Sequence, residues 1–80
     1  MMREIVTAGE LATWLTAELN RLPDFEACRV APPIAAPPDP TGCNWSPVVH
    51  VTCGNAIPAM VERAIQEPLG RARTRFNLAV

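Results

Sequence analysis

The chain has 80 residues, 49% of them hydrophobic and 19% charged, and its formal net charge is −1 at pH 7. This length fits one domain, the apolar content excludes a wholly disordered chain, and the small net charge gives no overall attraction to nucleic acid or to a membrane surface. No apolar run approaches the roughly 20 residues that cross a bilayer. The sequence therefore predicts one small domain over residues 1–80, outside the membrane.

The cysteine count bears on the cellular compartment. The chain has three cysteines, Cys28, Cys43 and Cys53, and an odd number argues against a closed disulfide framework. The N-terminal residues reach a polar helix start too soon to hold the apolar stretch of a secretory signal. We therefore expect a cytoplasmic protein in which all three thiols are reduced.

The first predicted element is a helix over about residues 8–22. Thr7 and Glu10 have the spacing of a capping box, in which each side chain accepts a hydrogen bond from the other residue's backbone N–H. Pro23 stops the helix. Apolar side chains recur along one face at helical spacing: Leu11, Trp14, Leu15, Leu19 and Leu22.

Two strands joined by a proline-rich loop follow. Residues 25–31 form the first, residues 32–42 the loop with five prolines, and residues 44–53 the second. In the second strand apolar side chains alternate with mostly polar ones. We expect Trp45 and its alternate neighbours to be buried and His50 to be exposed. The expected core contains Trp45, Val49, Val51 and Cys53 together with Leu11, Leu15, Val61 and Ile65.

A second helix is predicted after Gly54, with Asn55 as its cap and Pro58 in its first turn. Pro68 and Gly70 interrupt its apolar stripe, which predicts a kink or a break. Residues 71–80 fit the end of this helix, and their alternation also fits a third strand. Both alternatives remain open from the sequence.

These elements predict an α+β fold of the order α-β-β-α, with an antiparallel hairpin packed against two helices and a possible extra C-terminal strand. A lone two-stranded sheet is marginally stable in water, and its edges can pair with another strand. We therefore expect a two-fold homodimer formed through the hairpin edges, with Val48 as a possible contact.

The cysteines and the single histidine could supply a zinc site, since Cys28, Cys43, His50 and Cys53 are a Cys3His set. Their spacing is poor, because no close pair of cysteines occurs and alternation puts His50 and Cys53 on opposite faces of a strand. We interpret the cysteines as packing residues and expect no metal or other cofactor. A cysteine nucleophile with His50 as base would also need an oxyanion site, so we expect no enzyme.

The tail carries the one local excess of positive charge. Residues 69–80 hold three arginines and no acid, whereas residues 1–68 hold four arginines and eight acids. Arg71, Arg73 and Arg75 are therefore candidate contacts to nucleic-acid phosphates. A helix would place Arg73 nearly opposite the other two, whereas a strand would align all three. The alternative is a solvated helix end with cations that favour its C-terminus.

Three short motifs resemble a set of uncharacterised small proteins encoded in proteobacterial prophages and mobile elements. The motifs are Leu11-x-x-Trp14-Leu15, Gly42-Cys43-Asn44-Trp45-Ser46 and Arg75-Phe76-Asn77-Leu78. The resemblance implies a genomic setting and no mechanism. The leading functional hypothesis is a non-catalytic accessory domain that binds another protein. The alternatives are a nucleic-acid-binding protein that uses the arginine tail and a small zinc-stabilised domain.

Overall fold

A computed structural model describes residues 3–79 as two helices and two separate pairs of short strands. No helix in this range combines the length and the apolar character that crossing a bilayer requires. The elements in chain order are β1 (Glu4–Val6), α1 (Ala8–Asn20), β2 (Arg29–Val30), β3 (Val51–Thr52), α2 (Pro58–Arg75) and β4 (Phe76–Leu78).

The strand pairs have opposite orientations. β2 and β3 form the expected antiparallel hairpin, and an isolated antiparallel bridge joins Ala35 to Trp45 farther along it. β1 and β4 pair in parallel, with Ile5 opposite Asn77. The α+β class and the central α-β-β-α order are confirmed, and the parallel pair adds one strand at each end.

The capping box of α1 forms as predicted. The N–H of Glu10 donates to Thr7 Oγ1 at 3.1 Å, and the N–H of Thr7 donates to Glu10 Oε1 at 3.0 Å. The helix ends at Asn20, two residues before the predicted end, and a series of tight turns replaces the start of the predicted first strand. Phe25 lies in these turns and is buried nonetheless.

The hairpin is shorter than predicted but has the predicted register. Trp45 is buried, Val49 and Val51 are half-buried, and His50 is exposed. Between the Val30–Val51 pair and the Ala35–Trp45 bridge, the first arm of the hairpin advances five residues and the second arm six. The second arm therefore contains one extra residue, as in a β-bulge. Both arms of this segment contain prolines, which lack the N–H that a continuous ladder needs. This explains why so little regular strand forms.

Two predictions for α2 are corrected: its cap is a different residue, and the break expected at Pro68 and Gly70 does not occur. Its N-cap is Ile57, with no side-chain capping bond, so the prediction of Asn55 as cap was wrong; Pro58 does occupy the first turn. The helix also continues without a break through Pro68 and Gly70. Pro68 removes one helical hydrogen bond, but Pro68, Leu69 and Ala72 are buried, and this packing stabilises the segment as a helix.

The tail is a helix first and a strand afterwards. α2 ends at Arg75 and the backbone turns extended at Phe76. β4 then pairs with β1, a strand that the sequence did not predict, and not with the hairpin. Of the two alternatives for residues 71–80, the helix is correct for residues 71–75 and the strand for residues 76–78.

One core unites both strand pairs with the two helices. Its buried side chains come from both helices, β2, β4 and the connecting segments: Leu11, Leu15, Leu19, Phe25, Cys28, Val30, Cys43, Trp45, Val61, Ile65, Leu69, Ala72, Phe76 and Leu78. Of the predicted set, Leu11, Leu15, Trp45, Val61 and Ile65 are buried, whereas Val49, Val51 and Cys53 pack against the core from its edge.

Candidate functional site

Arg71, the first candidate phosphate contact, binds two carboxylates of its own chain. Its guanidinium lies 2.6 Å from Glu18 of α1 and 2.7 Å from Glu67, one turn earlier on α2. The same group lies over the ring of Trp14, with 5.5 Å between Cζ and the ring centroid. Hydrogen bonding from Arg71 lowers the pKa of Glu18, and both carboxylates raise the pKa of Arg71. These contacts join α1 to α2.

Arg73 is the most buried of the three, with 21% of its side chain exposed. It donates to Asp39 Oδ2 at 2.8 Å and to the backbone oxygen of Trp45 at 2.5 Å, and its Cζ lies 5.2 Å from the centroid of the Trp45 ring. Asp39 also accepts hydrogen bonds from Thr41 and from the N–H of Cys43. Arg73 thus fixes the proline-rich loop to the end of α2.

Arg75 makes the longest of these four ion pairs. It lies 3.4 Å from Glu4 of β1, both side chains are more than half exposed, and its Cζ lies 4.9 Å from the centroid of the Phe76 ring. Arg71 and Arg75 lie one turn apart on one face of α2, and Arg73 lies on another. Each arginine is paired with at least one carboxylate of the same chain.

The cysteines depart from the expectation of three reduced thiols. Cys28 and Cys53 form a disulfide, so that expectation was wrong for these two; they do face each other across the hairpin, which brings their sulfur atoms together. Cys43 is free and buried. Within residues 3–79 no three His, Cys, Asp or Glu side chains lie close enough to hold a metal ion, and the disulfide uses two of the four proposed zinc ligands.

The three motifs of the sequence analysis meet in the structure. The indole N–H of Trp45 donates to the backbone oxygen of Phe76 at 3.0 Å, and the ring of Trp14 packs edge-on against Phe76 with 5.2 Å between centroids. Asn44 hydrogen-bonds both backbone groups of Leu78. These contacts are internal and hold β4 in place.

Sequence reasoning missed a groove at the opposite end of α2. This groove, which we call the disulfide groove, has a volume of about 510 Å³ and lies between the turns after α1 and the start of α2. The Cys28–Cys53 disulfide lies between its two walls. One wall carries Asp24, Phe25 and Glu26, and the other carries Ile57 and Met60. The exposed apolar pair at 57 and 60 was visible in the sequence, but nothing there placed it beside residues 24–28.

Comparison with known protein families, with curated proteins and with solved structures finds no match to this chain.

Proposed function

We propose that this chain is a non-catalytic accessory domain that binds another protein. The disulfide groove is the observation that carries the proposal. Ile57 and Met60 leave 61% and 53% of their surfaces in solvent, side by side along a concave surface. Apolar side chains grouped in this way are typical of interaction sites rather than of the isolated exposed residues found on every protein.

The state of the cysteines supports a role without catalysis. A nucleophilic cysteine must be an accessible thiolate. Cys28 and Cys53 are joined to each other, and Cys43 is 1% exposed with its Sγ directed at the backbone oxygen of Trp45. Neither the disulfide nor the buried Cys43 thus presents an accessible thiolate.

Nucleic-acid binding through Arg71, Arg73 and Arg75 stays a prediction, and their contacts weigh against it. A phosphate group would have to displace Glu18, Glu67, Asp39 or Glu4, and the displaced carboxylate would remain nearby. For Arg73 it would also break the contact that holds the proline-rich loop. The structure therefore favours a stabilising role for these arginines over a role in phosphate binding.

The prophage setting, the cytoplasmic location and the homodimer also stay predictions. The Cys28–Cys53 disulfide counts against the cytoplasm, because such bonds persist mainly in oxidising compartments. One hairpin edge that argued for a dimer is partly occupied, because the N–H of Val30 donates to Thr16 Oγ1 at 2.9 Å.

A cross-linking experiment tests the protein-binding proposal. A photoreactive amino acid is placed in the groove at Met60 and, separately, on the hairpin at Ile34, which is 62% exposed, in cells of the organism that encodes the protein. We expect a defined protein adduct that survives nuclease treatment. No protein adduct at either position would contradict the proposal.

A duplex-DNA titration at two salt concentrations tests the nucleic-acid alternative. The matched variant is Arg71→Ala/Arg75→Ala, which removes the two exposed arginines and keeps Arg73 in its structural contacts. Binding that falls steeply with salt and is lost in this variant would favour nucleic acid. We expect no measurable difference between this variant and the unaltered protein.

A further inference from the structure

The geometry points to the disulfide groove as the docking site for a peptide segment that presents an apolar side chain next to arginine or lysine. This inference rests on the proposed function and deepens it, because it names the surface and the chemistry of the partner. Three features carry it: an exposed apolar wall, an acidic wall that lines the same groove, and a covalent link between the two.

The apolar wall belongs to the start of α2. Ile57 and Met60 are three residues apart, so they lie on the same face of the first turn. Covering them would remove apolar surface from water, which is the main driving force for association. Methionine is flexible and polarisable, and it can therefore adapt to the shape of an apolar side chain placed against it.

The acidic wall is held in place by Phe25. This side chain is buried in the core, and its backbone makes two turn hydrogen bonds, with Leu22 at 3.2 Å and with Cys28 at 3.1 Å. Asp24 and Glu26 flank it and are exposed. Because Phe25 is fixed inward, both carboxylates are directed to the surface beside the groove. No arginine is among the residues that line it, so its charge complements a cationic partner.

The Cys28–Cys53 disulfide makes the two walls one unit. Cys28 follows the acidic turn directly, and Cys53 precedes the loop that leads into α2. Fixing their separation in the free protein reduces the conformational entropy that is lost when a ligand binds. A preorganised groove of this kind suits a short extended segment.

A second copy of this chain is a poorer occupant than a different protein. Its densest cluster of cations is residues 71–75, and there each arginine is bound to a carboxylate of its own chain. A copy that inserted this segment would first have to break those pairs. The partner is therefore expected to be another protein with a basic and apolar segment.

Synthetic eight-residue peptides test the inference. One carries Leu-Phe flanked by arginines, the second carries Leu-Phe flanked by glutamates, and the third keeps the arginines but replaces Leu-Phe with Ser-Ser. Each is titrated into the ¹⁵N-labelled, oxidised protein to about 2 mM, which detects weak binding. We expect the first peptide to shift the amide signals of residues 24–28 and 54–60, and the other two to bind at least about tenfold more weakly.

Two variants and a matched control locate the binding. Ile57→Ser/Met60→Ser should weaken the first peptide by about tenfold, and Asp24→Asn/Glu26→Gln should weaken it by about threefold and reduce its dependence on salt. Ile34→Ser/Val48→Ser removes two equally exposed apolar side chains from the hairpin and should leave binding unchanged. Equal binding of the arginine and glutamate peptides, or no binding of any peptide, would overturn the inference.

Two further outcomes separate this inference from the proposed function. A cellular protein that cross-links at Ile34 and not at Met60 would leave protein binding intact and remove the groove as its site. Signals of residues 24–28 and 54–60 that move with the protein's own concentration, before any peptide is added, would show that a second copy occupies the groove and would also overturn it.

Discussion

The side chain of Asn44 makes the two hydrogen bonds to the backbone of Leu78 that a neighbouring strand would make. Its Nδ2 donates to the backbone oxygen of Leu78 at 3.0 Å, and the N–H of Leu78 donates to its Oδ1 at 2.8 Å. β4 is thereby bonded on both sides, by the backbone of β1 on one side and by a side chain of the proline-rich hairpin on the other. This contact links the two strand pairs, which share no backbone ladder.

Replacing Asn44 should destabilise the whole domain. Asn44→Leu removes both bonds and leaves two backbone groups of Leu78 without partners, which should cost about 2 kcal/mol. Urea unfolding followed by tryptophan fluorescence measures this loss. Asn55→Leu, at an exposed loop position, is the control and should change stability by less than about 0.5 kcal/mol. An Asn44→Leu variant as stable as the unaltered protein would show that the contact contributes little.

The tail arginines should differ sharply in their effect on stability. Arg73→Ala removes two charge-assisted hydrogen bonds from a mostly buried group and should cost about 2–3 kcal/mol. Arg75→Ala removes an exposed pair at 3.4 Å and should cost less than about 0.5 kcal/mol. Urea unfolding of both variants makes the comparison. Similar losses in the two would contradict the structural role assigned to Arg73.

Acid should weaken the attachment of the proline-rich loop. Hydrogen bonds from Thr41 and from the N–H of Cys43, together with the charge of Arg73, lower the pKa of Asp39. A lowered pKa in the folded state contributes stability above the ordinary aspartate value of about 4, and this contribution is lost as the pH falls through the folded-state pKa. The melting temperature should therefore drop on acidification.

Two variants assign this acid sensitivity to Asp39. Asp39→Asn should melt at a lower temperature near neutral pH and should lose less on acidification. Thr41→Val removes the side-chain hydrogen bond that contributes most to the lowered pKa, so its loss of stability on acidification should be smaller and should be complete at a higher pH. Melting curves recorded between neutral and strongly acidic pH measure both effects. An unchanged acid slope in Asp39→Asn would exclude this carboxyl as the source.

The disulfide should be detectable by counting thiols. Alkylation of the unfolded, unreduced protein should modify Cys43 alone, and prior reduction should expose all three cysteines to alkylation. Because the bond closes a loop over 25 positions of the chain, Cys28→Ser/Cys53→Ser should lower stability by about 3 kcal/mol. Cys43→Ala is the control that retains the bond. Modification of three cysteines without reductant would support the original expectation of free thiols.

Light scattering at micromolar concentration tests the homodimer. A dimer would have twice the 8.7 kDa mass of one chain. A single-chain mass that does not change on tenfold concentration would exclude it, and the hydrogen bond from Val30 to Thr16 on the outer edge of β2 favours that outcome. The control is Val48→Ser, which removes the apolar side chain proposed as a dimer contact and should not alter the mass of a monomer.

The sequence alone determined the features that depend on near neighbours in the chain. The capping box of α1, the apolar faces of both helices and the alternation that buries Trp45 and exposes His50 all follow from residues within a few positions of one another. The same local patterns also predicted the antiparallel pairing of the hairpin strands. A loop over residues 32–42 favours this pairing, because parallel strands need a longer crossover connection.

Only the tertiary structure decided what depends on distant parts of the chain. β1 is three residues long and becomes a strand because Phe76–Leu78 lies beside it. The arginines are neutralised by acids up to 71 positions away, and Cys28 meets Cys53 because the hairpin brings them together. The disulfide groove forms in the same way, from residues 25 to 36 positions apart in the chain. A contact between distant residues leaves no periodic pattern in the sequence. Neither partner restricts which residues are the other's neighbours along the chain.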